Sequence, residues 1–276
     1  MQLRCISQGG LYANERAILL LPSATYSTSP SWDLEGFDAS VVDGLVAQGW
    51  SVLLLDLPGY GPCDDPPHPE RFGAERAAAC VASALTQIED LYGIRQMSLM
   101  GWSWGAQVAG AVANANPERI NRLILYGFNH SVRYSPSILS EAPTREITRE
   151  GPLGDFTEGC FDPDIRDAFA SAVVASDDSA PAGPLLDFVE NLPVVDAAGL
   201  EMPVLVVCGE YEVALPPGLD KIYEEAYEAR RDDLEDFTNE CGGSLVIIPG
   251  GGHAIHLEQP RAKWLGVILE FLESEA

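Results

Sequence analysis

Met97-Ser98-Leu99-Met100-Gly101-Trp102-Ser103-Trp104-Gly105 decides the fold. It begins as a short apolar run and ends where the small-residue segment Ala106 to Ala115 starts with helical character. A serine held between a strand and a helix is forced into a sharp turn with unfavourable backbone angles. Glycines two residues to either side let strand and helix pass without a clash. The hydroxyl then projects above the carboxyl edge of a sheet, beside a helix N-terminus.

Outward from this turn, apolar runs recur at Ala17 to Leu21, Ser51 to Leu55, Arg122 to Tyr126, Val204 to Cys208 and Ser244 to Ile248. Their apolarity is continuous rather than alternating, which predicts strands covered on both faces, as in a parallel sheet. Leu3 to Gln8, followed by Gly9-Gly10, reads as one arm of an antiparallel hairpin. Helical spacing lies between the runs, at Asp38 to Gln48, Glu70 to Leu91, Ala106 to Ala115, Tyr223 to Phe237 and Arg261 to Leu272. This alternation predicts right-handed crossovers and an α/β fold with a doubly wound, mostly parallel sheet.

Residues 129–200 break the rhythm. They are rich in Pro, Gly, Ser and Asp and contain no convincing strand. Asp162-Pro163 opens one expected helix, running to about Ala175, with an N-cap and a proline at its first position. A second is expected from Pro184 to Asn191, and Ser176 to Gly183 reads as a mobile small-residue loop. The expected organisation is a core of residues 1–128 and 201–276 with an inserted helical cap at 129–200.

The chain has 276 residues, 46% of them hydrophobic, enough to bury a sizeable core. Forty-two Asp and Glu against 16 Lys and Arg give a formal net charge of -26. Such a field repels nucleic-acid phosphates and anionic membranes. No apolar stretch approaches the roughly 20 residues that span a bilayer, and the N-terminus lacks a secretory pattern. A cytoplasmic protein, monomeric or homodimeric, acting on a small molecule is therefore expected. Lys221 and Lys263, the only lysines, leave few candidates for Schiff-base chemistry. The six cysteines are scattered, without metal-ligand spacing, and neither a cofactor nor a metal is expected.

Several motifs resemble those of the α/β-hydrolase superfamily. Besides the elbow, these are Asp56-Leu57-Pro58-Gly59-Tyr60-Gly61, Asn116-Pro117-Glu118-Arg119-Ile120, and the histidine loop Gly252-His253-Ala254-Ile255-His256-Leu257-Glu258-Gln259-Pro260. The resemblance spans nearly the whole chain apart from the cap. It implies a serine nucleophile, Ser103, with His253 as the base it needs. The glycines Gly250, Gly251 and Gly252 let that loop reach back over the sheet edge. His256 matches a second, locally packed histidine. His68 lies in a proline cluster, and His130 opens the cap as a surface hinge or a substrate contact.

The superfamily places the triad acid after the penultimate strand. Gly209-Glu210-Tyr211-Glu212 puts Glu212 there, with Glu210 as its competitor. The resemblance also implies an oxyanion hole from the backbone N–H groups of Trp104 and Ala24, although Pro22-Ser23 stands where many members carry His-Gly. Trp102, Tyr26 and Phe128 are expected to line an apolar substrate pocket, with core packing as the alternative for the aromatic residues beside the elbow.

The activity implied is hydrolysis of an ester, thioester or lactone. A lyase or cyclase reaction in the same site, such as acetate elimination, and a non-catalytic small-molecule receptor are the alternatives. Serine at position 103 argues against epoxide hydrolase and haloalkane dehalogenase chemistry, where relatives use Asp.

Overall fold

The computed structural model describes residues 1–7, 16–216 and 224–274. Gln8, Gly9-Gly10, Lys221 and Tyr223 lie outside the described residues. Strands β1 (Gln2–Ile6), β2 (Ala17–Leu21), β3 (Ser51–Asp56), β4 (Met97–Trp102) and β5 (Ile120–Tyr126) precede the interrupted region. Within that region lie β6 (Thr144–Glu146) and β7 (Ser179–Pro181), and after it come β8 (Val204–Gly209) and β9 (Ser244–Ile248). Among the described residues, seven of these strands form one sheet in the order β1-β3-β2-β4-β5-β8-β9. All neighbours are parallel except β1, which runs antiparallel to β3.

The partner of β1 corrects the hairpin expectation. Its register joins Gln2 to Asp56 and Ile6 to Val52, so it pairs with β3 and not with the strand next in sequence. Composition marks a strand, but pairing depends on residues far along the chain.

Helices cover both faces. On one lie α3 (Ala74–Tyr92), α4 (Trp104–Ala115) and α9 (Glu224–Cys241), packed through Val81, Leu85, Val108, Leu234 and Phe237 onto Leu19, Leu53, Leu99 and Leu123. On the other lie α1 (Thr28–Trp32), α2 (Val41–Ala47), α6 (Pro163–Ser176) and α10 (Arg261–Glu273), packed onto Ile18, Val52, Leu54, Met100 and Ile124. Successive strand residues point to opposite cores, which is why the runs are apolar without interruption. Each fully buried Leu or Ile contributes roughly 1.5–3 kcal/mol.

Residues 129–200 depart from expectation in two places. Besides α6, they form α5 (Glu150–Leu153) and α7 (Gly183–Leu186), the latter passing into a π-helical turn at Asp187–Asn191 that closes with Leu192 N–H on Asp187 O at 3.1 Å. They also form a two-stranded antiparallel sheet, β6 with β7. Strands of three residues are too short for any periodicity to register.

The stretch from Ser176 to Gly183, expected to be mobile, contains β7 and is pinned by Asp177. That buried carboxylate accepts hydrogen bonds from Ser27 N–H (3.0 Å), the Ser27 hydroxyl (2.8 Å) and Gly61 N–H (2.8 Å). Small residues there reflect close packing rather than freedom.

Candidate active site

Because β2, β4, β5, β8 and β9 are parallel neighbours, the loops at their carboxyl ends share one edge of the sheet. Ser103 follows β4, Glu212 lies in α8 (Glu210–Val213) directly after β8, and His253 follows β9. Ala24 lies in the loop after β2.

Ser103 has φ 58° and ψ -117°, one of two non-glycine residues with positive φ among those described. Such a conformation costs on the order of 1–3 kcal/mol and persists only where its surroundings enforce it. The enforcement is visible at the flanking glycines. A Cβ on Gly101 would meet Gly105 O at 2.0 Å, and a Cβ on Gly105 would meet Pro22 O at 2.2 Å. The second contact shows that the loop after β2 crosses directly over the first turn of α4. Ala24 O there accepts from the Tyr60 hydroxyl (3.0 Å) and from Arg145 Nη2 (2.8 Å), which fixes the orientation of that loop. Trp104 is the first residue of α4, so its N–H has no intrahelical acceptor. Its indole N–H donates to Asp187 at 2.7 Å.

The His253 imidazole is hydrogen-bonded through Nδ1 to Glu212 Oε1 at 2.7 Å. Its backbone carbonyl accepts from the Trp102 indole N–H (3.0 Å) and the Tyr126 hydroxyl (2.8 Å), both at the end of the strands that flank the elbow. A Cβ on Gly127, which has φ 59°, would approach His253 Cε1 to 3.0 Å, so the ring is seated tightly against this turn. Glu258 holds the loop from below, accepting from Gly252 N–H (2.5 Å) and Thr157 N–H (3.0 Å). The imidazole remains 28% exposed. No hydrogen bond joins Ser103 Oγ to His253 Nε2 among the described residues, and the Ser103 side chain caps no helix.

Glu212 is only 4% exposed. Its Oε2 accepts from Gly209 N–H at 3.1 Å, and its Oε1 is shared by His253 and Arg230 Nη2, the latter at 2.8 Å. Burial by itself would raise its pKa, but the Arg230 guanidinium and His253 outweigh that and hold it at about 2. Glu210, the competitor, instead accepts from Gly250 N–H at 2.8 Å. Burial pushes the His253 pKa down; the charge and hydrogen bond of Glu212 and the charge of Asp155 overcome this, and the net direction is up. His256 is buried among Trp32, Trp102, Tyr126 and Trp264, and burial depresses its pKa to about 3. The Tyr126 hydroxyl lies within hydrogen-bond distance of both His253 O (2.8 Å) and His256 Nδ1 (2.9 Å), tying the two histidines of this loop to the end of β5.

All three expected pocket residues are buried. Trp102 and Phe128 are 0% exposed. Trp102 stacks on Tyr126 at 6.1 Å and supports the histidine loop from beneath, while Phe128 packs against Phe237 and His130. Trp102 ends β4, which is covered on each face, and Phe128 lies in the turn after β5 against Phe237 of α9. Tyr26 is also buried, edge-on to Phe169 at 5.2 Å, and its hydroxyl donates to Asp155 at 2.7 Å. Asp155 and Arg230 were not singled out from the sequence. Asp155 lies in an irregular stretch and Arg230 in a highly charged helix, where each reads as a solvated side chain.

The same arrangement of elbow, acid and histidine around a mostly parallel sheet prompts comparison with other proteins. Residues 18–264 match the alpha/beta hydrolase family. The chain belongs to that family. Among its relatives, a Bacillus subtilis protein assigned as a 2-succinyl-6-hydroxy-2,4-cyclohexadiene-1-carboxylate synthase is 23% identical over 247 residues, 81% of each chain. Mouse epoxide hydrolase 4 is 34% identical over 92 residues, which is 33% of this chain and only 23% of that relative's length. Among solved structures, an esterase of Thermogutta terrifontis superimposes with a TM-score of 0.70 at 19% identity, covering 98% of this chain and 92% of its own. That likeness describes the shared α/β-hydrolase fold. No helix among the described residues is long and apolar enough to cross a membrane.

Proposed function

We propose that this member of the alpha/beta hydrolase family transfers an acyl group to water through Ser103, His253 and Glu212, acting on an ester, thioester or lactone of a small, largely apolar molecule. The observation that carries the reading is the 2.7 Å contact of His253 Nδ1 with Glu212 Oε1, beside a serine held at φ 58°. A carboxylate on Nδ1 fixes the tautomer that leaves Nε2 free to accept a proton.

In the first half-reaction Ser103 Oγ bonds to the carbonyl carbon while its proton passes to His253 Nε2. The resulting oxyanion lies toward the Trp104 and Ala24 N–H groups, and the imidazolium is stabilised by Glu212. Collapse breaks the bond to the leaving group, which takes the proton from Nε2. In the second half, water gives a proton to Nε2 and its oxygen to the acyl carbon, and Ser103 leaves with the proton returned. Residues 129–200 act as a cap: Asp155 and Arg145 bring it to Tyr26 and Ala24 beside the oxyanion loop.

A second reading, elimination or ring closure in the same site, draws on the similarity to a relative assigned as a synthase over 81% of both chains. Running the reaction in ¹⁸O-labelled water with p-nitrophenyl butanoate and with a β-acyloxy ketone separates the two. Acyl transfer to water places one ¹⁸O in the released acid. Elimination releases unlabelled acid with an alkene. Failure of the folded protein to turn over any ester, thioester or lactone supplied would overturn the hydrolytic reading.

A further inference from the structure

The carboxylate on which His253 rests is itself held by a buried cation from a different element. Arg230 lies on α9, and its side chain is 15% exposed. Its Nη2 reaches Glu212 Oε1 (2.8 Å), Phe128 O (3.1 Å) and Gly127 O (3.5 Å). The two carbonyls belong to the turn after β5, and Gly127 in that turn is the residue against which the His253 ring is seated. One guanidinium nitrogen thus ties together the acid and the turn that supports the base. The attachment is costly, because Arg230 Nε is buried without a partner. A cation placed there only for solubility would have kept that group in water.

We propose that Arg230 is a positioning residue for the triad acid: it fixes the shared Oε1 corner of Glu212 against the turn after β5, so that the carboxylate meets His253 Nδ1. The proposal rests on the reading of Ser103, His253 and Glu212 as the triad. Glutamate has one more rotatable bond than aspartate, and Gly209 N–H secures only its Oε2. A second donor on Oε1 removes the remaining freedom.

The same cation has an electrostatic consequence. Around His253 stand Glu212 on α8, Asp155 from the cap, Glu258 and the neutral His256 on its own loop, and Arg230 on α9. Three of these are carboxylates, and each favours the imidazolium. Arg230 opposes them and keeps the base from being protonated too readily.

The test is the rate at which a fluorophosphonate labels Ser103, followed from about pH 5 to about pH 9. In Arg230→Gln a donor remains but the charge is lost. The imidazolium is then favoured, so the acid limb moves up by about one pH unit, and labelling at neutral pH falls about tenfold. Arg230→Lys retains the charge, but its side chain is one bond shorter and does not bring the ammonium to the position of Nη2. Its limb stays at the wild-type position while its plateau falls about tenfold.

A folded Arg230→Gln protein with the wild-type limb and plateau would overturn the proposal. Should that variant not fold, Arg230→Lys decides alone, and a wild-type plateau in it overturns the proposal. Wild-type protein that is not labelled at Ser103 at all would instead overturn the triad reading beneath.

Discussion

Ser103→Ala is expected to lower ester turnover by about 10⁴- to 10⁶-fold, with little change in stability. On the proposed reading, the activity loss follows from removing the atom that forms the acyl bond. The unchanged stability follows from the environment of that atom. The serine hydroxyl caps no helix, and the backbone bonds at this residue, Ser103 N–H to Tyr126 O (2.8 Å) and Ala106 N–H to Ser103 O (3.0 Å), do not involve the side chain. The melting temperature should therefore lie within a few degrees of wild type, about the shift that corresponds to 1 kcal/mol. Residual rate above the uncatalysed reaction would come from the Trp104 and Ala24 amides and from binding. An alanine variant that retained near-wild-type turnover would mean that covalent serine chemistry does not occur here.

Glu212→Gln is expected to cost about 10³- to 10⁴-fold in kcat, because the amide can no longer hold the Nδ1–H tautomer or balance the imidazolium. The pH profile supplies an independent signature. Glu212 raises the His253 pKa, so its loss lets that pKa fall and the acid limb moves to lower pH even as the plateau collapses. The substitution also leaves Arg230 buried without its carboxylate, so a loss of stability of about 3–5 kcal/mol accompanies it. Assays well below the lowered melting temperature separate the two effects. Glu210→Gln should leave kcat within a few fold, since Glu210 bonds Gly250 N–H rather than the imidazole. A larger loss from Glu210→Gln than from Glu212→Gln would reassign the acid.

The sheet was readable because β2, β3, β4 and β8 are buried throughout, covered on both faces, and so carry continuous apolar runs. Val52 and Leu54 face one core while Leu53 and Leu55 face the other, a pattern that no exposed strand would keep. The partner of β1 was not readable, since antiparallel pairing with β3 depends on contacts across some fifty intervening positions. The sheet formed by β6 and β7 is too short to leave a period in the sequence.

At the site, the elbow and the histidine loop were legible because steric necessity dictates their glycines. Gly101 and Gly105 admit no side chain, and a Cβ on Gly252 would meet Thr157 Oγ1 at 2.1 Å. The burial of Trp102 and Phe128 was not legible for a related reason. An aromatic residue beside a catalytic loop has the same letter whether it faces a ligand or supports the loop, and only burial separates the two. Arg230 was hidden among the charges of α9. Its role arises from where that helix lies against β8 and the turn after β5, which no local pattern encodes.

The most direct test of the serine assignment is to expose the folded protein to a fluorophosphonate probe and locate the adduct by mass spectrometry. A single adduct on Ser103 is expected, absent from Ser103→Ala and strongly slowed in Glu212→Gln. An adduct on another residue, or no adduct on protein that is demonstrably folded, would contradict it.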